Sequence, residues 1–596
     1  MPHILSVAAP ALFLILLLSA SAGYGGLVLR LDPELAGPTP WRRSLSIVWG
    51  LAAMAWILQW FSYFQRFTPL IATIVLLVGC VFLFFEPFSW SDLRTSWKGR
   101  AVSIGAVLSA VLLVWLPPAV HPYDDTRAYL IFPLKIISLG GIGWEPFSER
   151  RLFSLGAQYP LQALVFSWFP VRYASIIEPA LGVVLLILLA AILSTPTRTL
   201  LCAGLLWIAA LSGSRVLSNL APAFLMIPPL FLIPLAPRDS RFILSKSDAA
   251  VLGVIAAFAV CLRPTAAPFA VLMLVWTIFR TSASMPLTNF GCSAAGAAVF
   301  ALPFSLDLFP SGGTVYYPLL GRGFHLSAHA ATASISALTS VSGHLMNLAR
   351  TPLTDPFFWL LGALALISRR FEVAAAALFT YGVIIVQSSG TNPSRYAAPV
   401  LLAAALYLII TIERSGSFHF TVPRPLLGVM AVVTLFLVYR FGPAGLAFAQ
   451  NKLETRYASI YPPASEIAAY RELQAAIPVG TTVLVTLNRA DLLDFRRNRI
   501  LLNDEPLMTS PPPGWPTQPS GKLFAAYLRQ QGIDYVAVST NTDSPVTTAS
   551  DLTNPLHKWI DILHRFAALF DRALADEPFR SAIVYRTHAF RVYRVP

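Results

Sequence analysis

The chain has 596 residues, of which 56% are hydrophobic and only 12% are charged. Soluble domains carry about 25% charged residues, so this composition excludes an ordinary soluble protein and predicts an α-helical polytopic membrane protein. The formal net charge is +14, but the basic residues are spread through short loops and form no basic helix, which argues against nucleic-acid binding.

Runs of apolar residues predict about fourteen transmembrane segments, most of them near the roughly 17–25 residues that a crossing helix needs. Several runs are short and many contain proline, which transmembrane helices tolerate. The predicted segments are 4–29, 44–63, 69–87, 101–120, 172–195, 199–213, 216–236, 249–262, 266–280, 287–306, 356–368, 371–388, 397–412 and 425–441. The first three belong to an N-terminal accessory region, residues 1–100, and the others to a main transmembrane domain, residues 101–441.

The positions of Lys and Arg predict the orientation of these segments. Residues 1–6 contain no Lys or Arg, whereas a signal peptide normally has a basic N-terminal flank, so the first segment is predicted to be an uncleaved span with its N-terminus outside. Basic pairs such as Arg42/Arg43 and Arg369/Arg370 then lie on the cytoplasmic side. The loops 121–158 and 307–355, residues 388–396 and the C-terminal part consequently share the outer face.

Two adjacent acids, Asp124 and Asp125, follow the predicted span 101–120 and open a long outer loop. Ionised groups beside the hydrocarbon are costly and usually functional. Repulsion between neighbouring carboxylates favours a proton on one of them, which suits a general base. The alternative is structural, since Asp is a favoured N-cap and a helix beginning at Thr126 would use one of the two.

The rest of this loop is mixed in character. Residues 128–139 form an apolar, amphipathic stretch that contains Lys135, which predicts an interfacial helix lying on the lipid headgroups. Aromatic residues follow at Trp144, Phe147, Phe153 and Tyr159. The first three are typical of an aromatic membrane belt, and Tyr159-Pro160 begins the next apolar segment. An aromatic ring near acids also suits stacking on a sugar, with simple anchoring as the alternative.

A second candidate site is the segment Gly390–Pro399, which contains Arg395 and Tyr396 and joins two spans on the outer face. A lone guanidinium at the edge of hydrocarbon favours an anion, and its fork of donors suits phosphate. Arg263 and Arg215 have similar positions at other span ends. The alternatives are snorkelling to the headgroups or ion pairs with Glu178 or Asp355.

The loop 307–355 is long and contains Arg322, His325 and His329. Loops of this length are often functional. The two histidines are four residues apart, but no carboxylate or cysteine lies at ligand spacing, which argues against a metal site. The four cysteines, at positions 80, 202, 261 and 292, lie singly in apolar runs and predict neither disulfides nor metal ligands.

Charge density rises after about residue 442 to that of a soluble domain. Residues 463–477, 522–531 and 556–574 have helical periodicity, and the runs 481–487, 499–503, 535–539, 583–586 and 589–594 are rich in strand-forming residues. Alternating helices and strands predict a small soluble α/β domain over residues 442–596. It has no Gly-rich phosphate loop, which argues against nucleotide binding.

Taken together, a span ending in acids, a long first outer loop with a Tyr-Pro re-entry, a late Arg-Tyr-x-x-Pro motif and a soluble C-terminal domain resemble the GT-C class of membrane glycosyltransferases. The resemblance covers the chain from about residue 101 onward. It implies a polyprenyl-phosphate-linked sugar as donor, a hydroxyl of a glycan, lipid or protein as acceptor, and Asp124 or Asp125 as general base. The candidate substrate-binding residues are Arg127, Lys135, Tyr159, Arg263, Arg322, His325, Arg395 and Tyr396.

The implied reaction takes place at the outer face of a bacterial inner membrane. It inverts the anomeric configuration of the transferred sugar and requires no nucleotide. No cofactor is firmly implied, although a divalent metal is compatible with the class. Two features depart from the class, because three spans precede the acidic one and a bare Asp-Asp pair identifies no subfamily. The alternatives from other classes are a transporter or flippase of lipid-linked saccharides, which predicts ionisable residues at mid-membrane, and a structural or sensory membrane protein.

Overall fold

A computed structural model describes residues 2–31, 39–85, 105–106, 124–193, 220, 222–236, 243–282, 285–316, 324, 348, 356–387, 393–415, 462–540 and 555–596. The predicted segments 101–120, 199–213 and 425–441 lie wholly or almost wholly outside these residues. So do Arg322, His325, His329, Arg215, Asp355, Cys202 and residues 388–392.

The first part of the described chain is helical. Its α-helices are α1 (Pro2–Leu31), α2 (Thr39–Tyr63), α3 (Pro69–Phe82), α4 (Ile131–Leu139), α5 (Glu149–Leu152), α6 (Gln158–Phe166), α7 (Gly182–Leu193), α8 (Ile227–Leu232), α9 (Lys246–Leu262), α10 (Ala267–Thr281), α11 (Pro286–Gly312), α12 (Pro356–Ser368), α13 (Phe371–Gln387) and α14 (Pro393–Arg414). Local sequence fixes several helix starts. Thr68 caps α3 by accepting from the Ile71 N–H, and Pro69 takes the first helical position, where its missing N–H costs nothing.

Six helical stretches of the described chain are long and apolar enough to cross a membrane, as expected of a multi-pass membrane protein. They are Ala8–Arg30, Pro40–Tyr63, Val171–Leu193, Pro264–Thr281, Pro286–Gly312 and Arg395–Arg414. Three shorter apolar helices are Pro69–Phe82, Phe358–Ser368 and Phe371–Val386. Their outward faces carry large exposed apolar side chains, such as Leu70, Trp276 and Leu287, which suits contact with lipid.

The sequence prediction fails at two of the described segments. Among the described residues of the predicted span 216–236, only α8 is α-helical, and a 3₁₀ turn follows it at Ile233–Leu235. Pro228, Pro229 and Pro234 remove donors from this stretch, which explains the interrupted helix. The predicted span 287–306 instead continues to Gly312 in α11, so the loop begins later than residue 307.

Close helix approach depends on small residues. Gly253 of α9 faces the Ser293 carbonyl of α11, and Gly296 of α11 faces the Ala250 carbonyl of α9. A Cβ atom at either glycine would overlap that backbone, so the pair permits the close packing that membrane helices favour.

The C-terminal part is a small α/β domain, as predicted. Its elements are α15 (Ala464–Ala475), β1 (Thr482–Thr486), β2 (Arg499–Leu502), α16 (Gly521–Gln530), β3 (Tyr535–Ser539), α17 (Pro555–Ala575), β4 (Ile583–Arg586) and β5 (Phe590–Arg594). The sheet order is β2-β1-β3-β5-β4, with β1 parallel to β2 and β3, and with β5 antiparallel to β3 and β4. The parallel strands are runs of Val, Ile and Leu because helices and loops cover them.

Strand β2 lies at the edge of this sheet and is covered by the loop that begins at Asp124. The Leu502 N–H donates to Glu145 Oε2 at 2.9 Å, and the Ile500 carbonyl accepts from Lys135. An uncovered edge strand would leave these backbone groups unpaired. The C-terminal domain is therefore attached to this loop by hydrogen bonds at its edge strand.

This arrangement corrects two predictions about the loop. Helix α4 was predicted to lie on the headgroups, but Ile131, Lys135 and Ile136 are buried, and the helix packs against α6 and the C-terminal domain. Phe147 was predicted to anchor in the membrane. It is instead buried in the core of the C-terminal domain, with its ring centroid 5.3 Å from that of Trp515, because an aromatic ring that suits a lipid interface also suits a soluble core.

Candidate functional site

Asp124 and Asp125 begin a single π-helical turn, Asp125–Tyr129, that leads into α4. Asp124 precedes the turn, but its carboxylate makes no capping hydrogen bond there. The capping alternative therefore does not account for Asp124. Asp125 has no solvent exposure, whereas the Asp124 side chain is 19% exposed.

The Asp124 carboxylate is held between two arginines from different parts of the chain. Arg395 donates from Nη2 to Asp124 Oδ2 at 3.1 Å. Arg150 donates from Nε and Nη2 to Oδ1 at 3.2 and 2.9 Å. Asp124 of the acidic pair and Arg395 of the late Arg-Tyr motif therefore meet in one ionic cluster.

Arg150 also joins this cluster to the C-terminal domain. Its Nη2 donates to Glu505 Oε1 at 2.9 Å, and its Nη1 lies 3.5 Å from Asp504 Oδ2. The fork of five donors on a guanidinium makes such a bridge between carboxylates possible.

Two further features surround Arg395. Tyr396 presents its ring to both arginines of the region, at 4.9 Å from the Arg263 guanidinium carbon and 5.8 Å from that of Arg395. Arg263 is placed by Pro264, which disfavours helix at the preceding residue, so that Arg263 is extended and ends α9. The predicted residues Arg263, Arg395 and Tyr396 thus lie together.

Two buried polar atoms near these arginines have no hydrogen-bond partner among the described residues. They are Arg395 Nε and Thr265 Oγ1. Among the described residues, Arg263 makes no direct ion pair, and its guanidinium lies over the Tyr396 ring. Glu178, an alternative partner for these arginines, forms no direct ion pair with Arg263 among the described residues, and its carboxylate accepts from the N–H groups of Phe224 and Leu225. Buried donors normally have partners, so this region has unused capacity for an anion.

The electrostatics of the cluster favour protonation of one member. Burial, together with the nearby Glu505 and Asp504, raises the pKa of Glu149 well above its ordinary value, while Arg150 opposes this rise. Burial also raises the pKa of Tyr129 to about 12, which keeps its hydroxyl neutral. Acids outnumber arginines here, so a proton on Glu149 lowers the repulsion among them.

The other predicted residues have different surroundings. Arg127 is buried and donates to Asn488 Oδ1 at 2.7 Å. Lys135 forms a buried ion pair with Glu145 and donates to the Ile500 carbonyl. Tyr159 is buried against Phe132, with ring centroids 4.9 Å apart. The C-terminal domain thus holds Arg127 and Lys135.

Sequence reasoning missed Arg150, Glu149, Asp504 and Glu505. Two signals were available: a pair of arginines at positions 150–151 in a loop predicted to lie outside, against the usual distribution of basic residues, and a second adjacent acid pair at positions 504–505. In the described part of the chain, no group of three or more His, Cys, Asp or Glu side chains is arranged to hold a metal ion.

Comparisons with known proteins found no matching protein family, no matching curated protein and no matching solved structure.

Proposed function

We propose that this protein is a membrane glycosyltransferase of the GT-C type, which transfers a sugar from a polyprenyl-phosphate donor to an acceptor hydroxyl at the outer face of the membrane. The observation that carries the proposal is the ion pair between Asp124 and Arg395, 271 positions apart in sequence. A base and a phosphate-binding group must lie on either side of one sugar–phosphate bond, and this pair supplies both within one cluster.

Asp124 is the proposed general base. Its side chain is partly exposed, whereas Asp125 is fully buried and cannot reach an acceptor without a rearrangement. Both oxygens of Asp124 are engaged by arginines before substrate binds. A lipid-linked phosphate competes with Asp124 for Arg395, and its arrival releases Oδ2 to accept a proton.

The transfer is a single displacement. Asp124 takes the proton of the acceptor hydroxyl, whose oxygen bonds to the anomeric carbon from the face opposite the phosphate. The bond between that carbon and the phosphate oxygen breaks, and its electron pair leaves with polyprenyl phosphate. Arg395, with Arg263 nearby, stabilises the charge that grows on the phosphate. The configuration at the anomeric carbon inverts.

The direct test is transfer of radiolabelled sugar from polyprenyl-phosphate donors to candidate acceptors by the purified protein. We expect Asp124→Asn to lower the rate by at least about 100-fold, since general-base catalysis contributes on the order of 10²–10⁴-fold. Asp576→Asn is a matched control, because the Asp576 carboxylate accepts from the Gly521 N–H inside the C-terminal domain, away from the Asp124 cluster.

Two outcomes would contradict the proposal. Wild-type transfer rates in both Asp124→Asn and Asp125→Asn would show that neither aspartate is the general base. Movement of the intact lipid-linked saccharide across a liposome membrane, without sugar transfer, would favour the transporter or flippase instead.

A further inference from the structure

We propose that the C-terminal domain is part of the reaction centre, and that Asp504 and Glu505 are positioning residues that fix Asp124 through Arg150. This inference rests on the proposed function and extends it to residues outside the membrane part. It assigns a role to a domain whose sequence carries no catalytic motif.

Arg150 lies between a carboxylate of the loop and a carboxylate of the C-terminal domain. Its side chain is only 10% exposed, and its guanidinium contacts both Asp124 and Glu505 at 2.9 Å. A planar guanidinium fixes the directions of its donors, so displacing one carboxylate partner reorients the group toward the other. The placement of the Asp124 carboxylate therefore depends on Glu505.

The C-terminal domain also holds the backbone around Arg150. Asp504 accepts from Ser148 Oγ at 2.8 Å, from the Glu149 N–H at 2.9 Å and from the Arg150 N–H at 3.2 Å. These two amides lie in the first turn of α5, where backbone donors lack partners within the helix. The carboxylate of Asp504 is fully buried and supplies them. The C-terminal domain thus holds both the side chain and the backbone of Arg150.

Helix α5 connects the C-terminal domain to the membrane helices. Arg151, the next residue, contacts the membrane helices instead of the C-terminal domain. It donates to Asp307 Oδ2 of α11 at 2.9 Å. Gln59 of α2 donates to the same oxygen at 3.1 Å. Adjacent arginines therefore tie α5 to the C-terminal domain on one side and to two long apolar helices on the other.

A second buried cluster holds the same interface. Lys135 and Glu145 pair with each other, and each also bonds to the backbone of edge strand β2. Thr126, directly after the acid pair, donates to the Asn488 carbonyl at 2.8 Å. These contacts, which follow the acid pair along the chain, fix the C-terminal domain relative to Asp124.

The experiment compares Asp504→Asn and Glu505→Gln with wild type in the full-length protein, by steady-state sugar transfer from a polyprenyl-phosphate donor. Because small displacements of a reacting group cost on the order of 10²-fold, we expect kcat to fall at least about tenfold. The KM for the donor should change by less than about threefold, since Arg395 and Arg263 remain. Glu505→Asp should recover part of the loss, and Asp576→Asn should retain wild-type kcat.

The outcomes separate this inference from the proposed function. A wild-type protein that transfers no sugar overturns the proposed function, and the positioning role with it. A wild-type protein that transfers sugar, with folded Asp504→Asn and Glu505→Gln proteins at wild-type kcat, overturns the positioning role alone. A loss that appears in donor KM and leaves kcat unchanged also overturns it. Thermal unfolding of each variant identifies any that fail to fold, and Glu505→Asp then provides the comparison.

Discussion

Asp124 and Arg395 form an ion pair at 3.1 Å, although they are 271 positions apart and belong to different helical segments. Arg395 also keeps a buried Nε without a partner among the described residues. One guanidinium therefore balances a carboxylate and retains a donor for a second anion. Under the proposed function, this arrangement would allow Arg395 to exchange its contact with Asp124 for a contact with the donor phosphate.

The first prediction concerns the donor geometry of Arg395. Lysine keeps the charge but loses the planar fork, so it cannot replace a bidentate contact. We expect Arg395→Lys to lower kcat/KM for sugar transfer by about 10²–10³-fold, the usual cost of removing one donor to developing charge. Single-turnover transfer from a polyprenyl-phosphate sugar measures this loss.

The matched control is Arg414→Lys, at the other end of the same helix. Arg414 donates to the Leu193 carbonyl, so it shares the helix but lies outside the ionic cluster. Equal losses in the two variants would mean that the effect comes from α14 as a whole, and would contradict a specific role for Arg395.

Local patterns were sufficient to predict much of the fold. Strand β3 and the terminal hairpin agree with their predicted bounds to within one residue, because short runs of β-branched and aromatic residues are flanked by clear breaks. Asp124 and Arg395 meet in the structure, although the predicted span 216–236, which belongs to the span count behind that expectation, is interrupted at α8. Helix-breaking prolines explain the failure near α8.

The docking of the C-terminal domain was beyond such patterns. Arg150 and Glu505 are 355 positions apart, and nothing local specifies which acid a loop arginine will meet. Phe147 illustrates the same difficulty, since its apolar ring suits either lipid or a protein core. Periodicity predicts elements, whereas long-range charge pairing depends on the packed arrangement of those elements.

The second prediction concerns the ring of Tyr396. A guanidinium over an aromatic face gains about 0.5–2 kcal/mol, which corresponds to roughly 2–30-fold in affinity. The ring lies 4.9 Å from the Arg263 guanidinium carbon, so it orients that arginine. We expect Tyr396→Leu to raise the KM for the lipid-linked donor within this range, while Tyr396→Phe, which keeps the ring, stays near wild type. Similar KM values for the two variants would contradict a cation–π role.

The third prediction concerns the buried pair of Lys135 and Glu145. Removing one partner leaves an uncompensated buried charge, which costs about 3–5 kcal/mol. We expect Lys135→Met to lower the unfolding free energy by this amount. The double variant Lys135→Met with Glu145→Gln should recover most of the loss, because the glutamine carbonyl can still accept from the Leu502 N–H.

Chemical denaturation of the detergent-solubilised variants, followed by Trp fluorescence, measures their free energies of unfolding. Trp144 and Trp515 both lie at or near the interface between the loop and the domain. Additive losses in the double variant would show that Lys135 and Glu145 do not stabilise each other, and would weaken the assigned interface.

The last prediction concerns pH and follows from Glu149. Burial and the nearby Glu505 and Asp504 raise its pKa well above the ordinary value of 4.5, against the opposing effect of Arg150. Between that ordinary value and the raised pKa, the folded protein binds a proton that the unfolded chain has released. The unfolding free energy contributed by this group therefore falls as pH rises through the window.

Glu149→Gln keeps the shape of the side chain without titrating. The midpoint of thermal unfolding of this variant should therefore lose the dependence on pH and exceed that of wild type at the upper end of the window. Glu577→Gln, at an exposed carboxylate of the C-terminal domain, should reproduce the wild-type profile, and an unchanged slope in Glu149→Gln would assign the pH dependence to another group.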